Sequence, residues 1–182
     1  MPGYGYVLLG AGWLLWLAPF FLFRPTSRAP VTRDRRALWG IVVQAVSYAI
    51  LWQNSFWARP LALWRVTAAV PLFAAAALLS WSAVRALGPH WRVEAGLDAD
   101  HSLVQDGPYR LVRHPIYASM LCMMIGSGLV VSPLPVLAGA LLLFVVGTEI
   151  RVRVEDRLLA ARFGEAFTAY RRAVPAYVPF VR

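Results

Sequence analysis

Five apolar segments constrain this chain more than any other feature. Hydrophobic residues make up 59% of its 182 residues, and only 15% are charged. A soluble domain of this length could not cover so much apolar surface, so the composition is typical of a membrane protein. The segments are residues 4–23, 37–57, 61–84, 116–131 and 136–148. We therefore predict an all-α fold, an integral membrane bundle of about five transmembrane segments.

The last two apolar segments are short. As helices, residues 116–131 and 136–148 would span only ~24 and ~20 Å. The SPLP sequence at 132–135 predicts a tight turn between them, because each proline removes an amide donor and restricts the residue before it. We expect a short helical hairpin packed on the other helices. A charged C-terminal helix and tail follow from Glu149, with a helix stop at Gly164.

The arginines predict how the bundle lies in the membrane. All 18 basic residues are Arg, and the formal net charge is +9. Arg is concentrated after the first segment, in the connector 85–115 and after Glu149, and it is sparse in the other two turns. Positive charge stays on the cytoplasmic side, so we expect the N-terminus outside and both the connector and the C-terminal tail in the cytoplasm. We expect a multi-pass protein of a bacterial inner membrane. Topology and anionic lipids explain the charge, and nucleic-acid binding is not expected.

The end of the connector carries candidate chemistry. If a helix begins at Ile116, then His114 and Pro115 lie at its N-terminus, where the helix dipole and free N–H groups favour an anionic ligand group. Arg113 adds a planar donor for a carboxylate. Two simpler interpretations stay open. His114 is then a plain interfacial histidine, and Arg113 a topology-setting charge that reaches lipid headgroups.

The tail offers two ion pairs at helical spacing. Glu149 with Arg153, and Arg151 with Glu155, are separated by four residues and share a helix face. Such pairs are also typical of a plain solvated helix, and they are weak when exposed. The three histidines show no metal-binding spacing and there is one cysteine, so no metal site is expected. Glycine-rich nucleotide loops are absent, which excludes the soluble methyltransferase and dehydrogenase folds.

Two stretches carry a resemblance to a known family. These are HSLVQDGPYRLVRHPIY at 101–117 and RVRVEDRLLAARFGEAFTAY at 151–170, followed by VP. Together they resemble the isoprenylcysteine carboxyl methyltransferases, integral-membrane enzymes related to phospholipid methyltransferases. The resemblance covers about residues 85–180. It implies methyl transfer from S-adenosylmethionine to a lipophilic or lipid-anchored acceptor, with the cofactor held by the connector and covered by the tail.

The resemblance also implies roles for individual residues. Arg151 is the catalytic residue, facing the acceptor, and Arg113 is a second candidate for substrate binding. The role of Asp156 is left open, because the family carries a longer acid there. The implied cofactor-binding residues are Glu94, His101, Ser102, Leu103, Val104, Tyr109, His114, Pro115, Ile116, Tyr117 and Glu155.

Three functions remain in competition. A carboxylate acceptor needs no general base, and it suits an arginine that holds it. An amine acceptor, as in phospholipid methylation, must lose a proton before it attacks. A protein of another class would keep the fold for lipid binding without catalysis. In each case we expect one domain over residues 1–182, with three N-terminal helices in 1–84 and the cofactor site in 85–182.

Overall fold

The chain folds as a bundle of α-helices. The computed structural model describes residues 1–23, 32–53, 60–88, 91, 96–97 and 102–179. Within these ranges the helices are α1 (Gly3–Leu22), α2 (Ala37–Leu51), α3 (Leu63–Leu87), α4 (Pro115–Val131), α5 (Leu134–Phe163) and α6 (Glu165–Ala173). A 3-10 turn at Gly107–Arg110 precedes α4. The predicted all-α class is confirmed.

The bundle has the length and surface of a membrane protein. Helices α1, α3 and α5 are long and apolar enough to cross a bilayer, and α2 and α4 are shorter apolar helices of 15 and 17 residues. Large apolar side chains point outwards from them, including Leu14, Trp39 and Leu142, each at least 70% exposed. So much exposed apolar surface is stable only in contact with lipid. The protein is an integral membrane protein.

The helical hairpin is confirmed, but its second arm is longer than the sequence suggested. Helix α4 ends at Val131, and α5 begins at Leu134. Helix α5 then runs without interruption for 30 residues, through the polarity change at Glu149. No proline interrupts it there. The predicted ion pairs Glu149–Arg153 and Arg151–Glu155 are present in its charged half. It ends at Gly164 as expected, where φ is +54°, a conformation that glycine adopts without strain.

Helix α4 lies at the centre of the bundle. It contacts α1, α2, α3 and α5. Two serines on α4 accept hydrogen bonds from α1: the indole of Trp16 donates to Ser119 Oγ at 3.0 Å, and that of Trp13 donates to Ser127 Oγ at 3.2 Å. These bonds satisfy two indole N–H groups inside the bundle, where an unpaired donor is costly.

A short ladder joins the first loop to the connector. Strand β1 (Thr32–Arg33) pairs antiparallel with strand β2 (Gly96–Leu97). The two segments therefore lie at the same end of the bundle. This matches the expectation, drawn from the arginines, that both face one side of the membrane.

Helices α2 and α5 cross at a pair of glycines. A Cβ on Gly40 would lie 2.7 Å from the carbonyl oxygen of Gly147 and 2.4 Å from Cγ of Arg151. A Cβ on Gly147 would lie 2.9 Å from the carbonyl oxygen of Gly40. Small residues commonly let membrane helices approach closely. Here the close approach also lets the Arg151 side chain pass directly over α2.

We predict that Gly40→Ala destabilises the bundle. The added methyl group would meet backbone on α5, which cannot move as a side-chain end can, so we expect a loss of about 1–3 kcal/mol. Thermal unfolding in detergent measures it. Gly139→Ala is the matched control, because a Cβ on Gly139 meets nothing within 4 Å. Equal unfolding temperatures for the two variants would contradict the close crossing.

Candidate functional site

A cavity lies between the helices and the connector. Its volume is about 600 Å³, within the range of roughly 300–1,000 Å³ that is typical of small-molecule sites. Part of its wall is aromatic and apolar and comes from α1 and α2. The apolar wall comprises Trp13, Trp16, Leu17, Phe20, Ile41 and Tyr48. The rest comes mainly from the connector, the start of α4 and the charged half of α5, with Leu87 of α3 and Tyr170 of α6.

The structure brings the predicted site residues together around this cavity. It is lined by Ser102, Leu103, Val104, Tyr109, Arg113, His114, Pro115, Ile116, Tyr117, Arg151 and Glu155. Two other predicted residues, Glu94 and His101, lie outside the described residues. Connector and tail, separated by about 40 residues, therefore share one cavity, as the sequence predicts.

Helices α4 and α5 meet at Tyr117 and Glu155. The Tyr117 hydroxyl donates a hydrogen bond to the Glu155 carboxylate. Arg151 lies one helical turn before Glu155, with Nη2 at 3.7 Å from Glu155 Oε1. The Arg151 guanidinium also lies 4.9 Å from the centre of the Tyr117 ring, a cation–π distance. The three side chains form one contact network that faces the cavity.

Asp156, whose role the sequence left open, ties the start of α4 to α5. Its carboxylate accepts hydrogen bonds from Arg113, at 3.0 Å to Nη2, and lies 2.9 Å from Nε2 of His114. The Arg113 side chain also donates to the carbonyl oxygen of Val174 at 2.8 Å. Arg113 thus lines the cavity, and its guanidinium is hydrogen-bonded to Asp156 and to the carbonyl oxygen of Val174. A carboxylate with two cationic partners is well placed to fix the geometry around it.

His114 bridges the two adjacent acids. While Nε2 faces Asp156, Nδ1 lies 3.4 Å from Oε2 of Glu155. Burial alone would lower the pKa of His114. The hydrogen bonds to Asp156 and Glu155 outweigh that effect, and the pKa lies above its ordinary value. His114 therefore favours its protonated form, which is the form that two neighbouring carboxylates stabilise.

The segment at residues 174–178, which we call the strap, crosses the start of α4. The carbonyl oxygen of Pro175 accepts the amide of Arg113 at 2.9 Å, and that of Ala176 accepts the amide of His114 at 2.8 Å. The His114 amide is thereby used within the protein. Pro115 has no amide hydrogen and the Tyr117 amide bonds back to His114. Of the amides at residues 113–117, this leaves that of Ile116 as the candidate donor to an anionic ligand group.

Helix α6 holds the connector in place over the cavity. The Tyr170 hydroxyl donates to the backbone carbonyl of Tyr109 at 2.6 Å. Burial, with nearby Glu155 and Tyr170, raises the pKa of Tyr109 well above its usual value, so Tyr109 remains a neutral phenol. The 3-10 turn that carries Tyr109 is thus fixed from the C-terminal side of the chain, and the tail covers the cavity.

Comparison with known proteins shows the family of this chain. Residues 64–166, more than half of the chain, match the phospholipid methyltransferase family. The chain belongs to that family. The resemblance to the isoprenylcysteine methyltransferases is confirmed as well: protein-S-isoprenylcysteine O-methyltransferase B of Arabidopsis thaliana is 33% identical over 82 residues, 44% of this chain and 41% of that protein.

Two bacterial relatives match over a longer stretch. The cobalt-zinc-cadmium resistance protein CzcN of Cupriavidus metallidurans is 33% identical over 153 residues, which cover 82% of this chain and 65% of CzcN. The nickel-cobalt-cadmium resistance protein NccN of Alcaligenes xylosoxydans is 30% identical over 167 residues, 86% of this chain and 72% of NccN. This chain therefore spans less than two thirds of CzcN and under half of the plant enzyme.

In this member of the phospholipid methyltransferase family, the first two helices contribute cavity residues that the sequence did not reveal. The sequence assigned no role to Trp13 or Trp16, yet both line the cavity. Their position in the middle of α1, away from the membrane interfaces, was a usable signal. Gln44 was missed entirely. An amide inside an otherwise apolar helix is a candidate for function by default.

We predict that Asp156→Asn strongly destabilises the protein. The change keeps the shape of the side chain but leaves Arg113 and His114 without their buried anion, which typically costs about 3–5 kcal/mol. Thermal unfolding in detergent measures it. Asp106→Asn is the control: its ion pair with Arg110 is mostly exposed, so a loss of less than ~1 kcal/mol is expected. Similar losses of stability for both variants would show that Asp156 does not hold the start of α4 on α5.

We also predict that stability declines in mild alkali because of His114. Its pKa is raised in the folded state, so its contribution is fully present below the unfolded value of about 6.5 and is lost as the pH rises through the folded value. The unfolding temperature should therefore fall as the pH rises above about 6.5. His114→Gln should show a smaller slope over the same range. Parallel profiles for the two proteins would refute the link.

Proposed function

We propose that this protein transfers a methyl group from S-adenosylmethionine to a carboxylate on a lipophilic or lipid-anchored acceptor. The observation that carries the proposal is the position of Arg151. Its guanidinium faces one cavity whose wall is polar on the connector side and aromatic on the side of α1 and α2. An enzyme of this kind has to bring a water-soluble donor and an apolar acceptor together, and such a cavity suits both.

The groups around the polar wall suit the donor. S-adenosylmethionine offers a carboxylate, an ammonium group, ribose hydroxyls, an adenine ring and a sulfonium cation. Glu155 has acceptor capacity for the ammonium group or the ribose. The rings of Tyr109 and Tyr117 suit the adenine or the sulfonium. The Ile116 amide, at the N-terminus of α4, suits the carboxylate. Ser102, Leu103 and Val104 complete that side of the cavity.

The reaction asks little covalent chemistry of the protein. When bound, S-adenosylmethionine supplies a methyl group on sulfur, whose C–S bond breaks with its electron pair going to sulfur as an acceptor oxygen forms the new O–CH3 bond. Arg151 holds the acceptor carboxylate in its ionised, nucleophilic form. Helix α6 and the strap exclude water. Alignment of the two reactants alone can contribute on the order of 7–11 kcal/mol.

The apolar part of the acceptor is expected to enter between α1 and α2. In the described part of the chain, α1 packs on α3 and α4 while α2 packs on α5, and α1 and α2 are not among the extensively packed pairs. They face each other across the cavity, and the rings of Trp13 and Tyr48 meet there at 5.7 Å. A gap between membrane helices suits an acceptor that arrives from the bilayer. We place the polar wall on the cytoplasmic side of a bacterial inner membrane, with the N-terminus outside.

Amine methylation is the competing function within this family. An amine must lose a proton, so it needs a neutral base close to the methyl group. His114 is poorly suited, because the two carboxylates beside it raise its pKa and so favour the protonated form. A carboxylate acceptor needs no such base, and for this reason we favour it. The Arabidopsis relative is named a protein-S-isoprenylcysteine O-methyltransferase, which is also methylation on oxygen.

We predict that the wild-type protein methylates N-acetyl-S-farnesylcysteine and that the product is a base-labile ester. Labelled S-adenosylmethionine, purified protein in detergent and base hydrolysis of the extracted product measure this. A base-stable product, formed from phosphatidylethanolamine instead, would favour the amine function. Binding of S-adenosylhomocysteine without transfer to either acceptor would favour a non-catalytic role.

Two variants separate the proposed roles. Arg151→Met should keep the thermal stabilisation by S-adenosylhomocysteine, which any ligand of the folded state produces, and should lose transfer. Arg153→Met, on the exposed face of the same helix, is its control. Glu155→Gln should lose the stabilisation, whereas Glu165→Gln at the exposed start of α6 should keep it. Loss of stabilisation in Arg151→Met but not in Glu155→Gln would reverse the assignment.

A further inference from the structure

Gln44 is a neutral polar side chain at the point where α2, α5 and the cavity meet. It is 2% exposed and lines the cavity. It belongs to the buried face of α2, which also carries Gly40 and Ser47. Burial of an amide is costly unless its donors and acceptor are satisfied. The hydrogen bonds that satisfy the Gln44 amide therefore indicate why a polar side chain occupies this position.

The Gln44 amide has a defined orientation. Its Nε2 donates to Oγ1 of Thr148 at 2.8 Å, and Thr148 is itself fully buried on α5. This bond turns the other end of the amide, Oε1, toward Arg151, where Nη1 donates to it at 3.4 Å. Gly40, one turn earlier on the same face of α2, leaves the space through which the Arg151 side chain passes.

Three helices together set the position of the Arg151 guanidinium. Tyr117 of α4 lies under its face, Glu155 of α5 lies beside Nη2, and Gln44 of α2 lies beside Nη1. Tyr117 and Glu155 were assigned above to the cofactor. Gln44 lies on α2, which carries none of the predicted cofactor residues. The group that it offers to the guanidinium is a carbonyl oxygen without net charge.

The lack of net charge is the important property. A carboxylate in place of the amide would pair with Arg151 inside the bundle, where the low dielectric makes such pairs strong. It would then compete with an anionic acceptor for the same guanidinium. An amide orients the guanidinium without adding a second carboxylate to that of Glu155, so that the guanidinium keeps more of its positive charge for a ligand. Proteins commonly discriminate between ligands by the charge of the groups that lie beside the binding residue.

We propose that Gln44 is a positioning residue that determines specificity: it orients Arg151 without adding a second anion beside Glu155, so that the cavity prefers an acceptor with a carboxylate head over a neutral one. This inference rests on the proposed function and extends it to α2. It assigns to an N-terminal helix the choice of acceptor head group, while the C-terminal half of the chain holds the donor.

The test compares an anionic with a neutral acceptor head. N-acetyl-S-farnesylcysteine is the carboxylate probe, and its carboxamide analogue is a neutral competitor in the same transfer assay. For the wild type, KM for the carboxylate should be lower than Ki for the carboxamide. In Gln44→Glu, which keeps the length of the side chain, KM should rise about tenfold or more and the preference should disappear, as expected for loss of a charge-assisted contact. Stabilisation by S-adenosylhomocysteine should stay as in the wild type.

Two further variants define the outcome. Gln53→Glu makes the same change at the exposed end of α2 and should leave KM and the preference unchanged. Thr148→Val removes the hydroxyl that orients the amide and should raise KM in the same direction, by a smaller factor. An unchanged KM and preference in Gln44→Glu would overturn the inference. So would loss of the S-adenosylhomocysteine stabilisation in that variant, which would assign Gln44 to packing alone.

The two levels of the proposal fail differently. If the wild type transfers no methyl group to the carboxylate probe, the proposed function fails and the role of Gln44 falls with it. If the wild type does transfer it and Gln44→Glu behaves as the wild type does, the function stands and the inference about Gln44 alone is wrong.

Discussion

Two adjacent acids on α5, one half-buried and one buried, determine how the rest of the site is built. Glu155 and Asp156 point to neighbouring partners in a part of the bundle where an uncompensated charge would be very costly. Asp156 is compensated by Arg113 and His114, and Glu155 by Arg151, His114 and the Tyr117 hydroxyl. The last residues of the connector are therefore docked on α5 at the point where α4 begins. This docking closes the cavity at its polar wall.

The membrane bundle itself supplies the frame for that docking. Helix α4 is central and is fixed to α1 by indole–serine hydrogen bonds, while α5 is fixed to α2 by a glycine crossing. Because α5 is one continuous helix, the packing of its apolar half on α2 sets the position of Arg151 in its charged half. The apolar and polar walls of the cavity are thus parts of one rigid arrangement, and neither half of the chain forms the cavity alone.

Much of this arrangement is local and could be predicted from sequence. Prolines at 133 and 135 predict the hairpin turn, Gly164 predicts the end of α5, and the arginines predict that connector and tail share one side. The continuity of α5 was missed because the change from apolar to charged residues at Glu149 looks like an element boundary. Gln44, Trp13 and Trp16 were missed because their role depends on which face each helix turns inward, and that is set by contacts between residues about 100 positions apart.

The strap has a consequence for the order in which the chain matures. Residues 174–178 leave the ribosome after every helix that they hold together, so the amides of Arg113 and His114 have no Pro175 or Ala176 to bond until then. Insertion of the apolar helices and closure of the polar wall are therefore separate events in time. A nascent chain can be fully inserted in the bilayer while the polar wall of its cavity is still open to water.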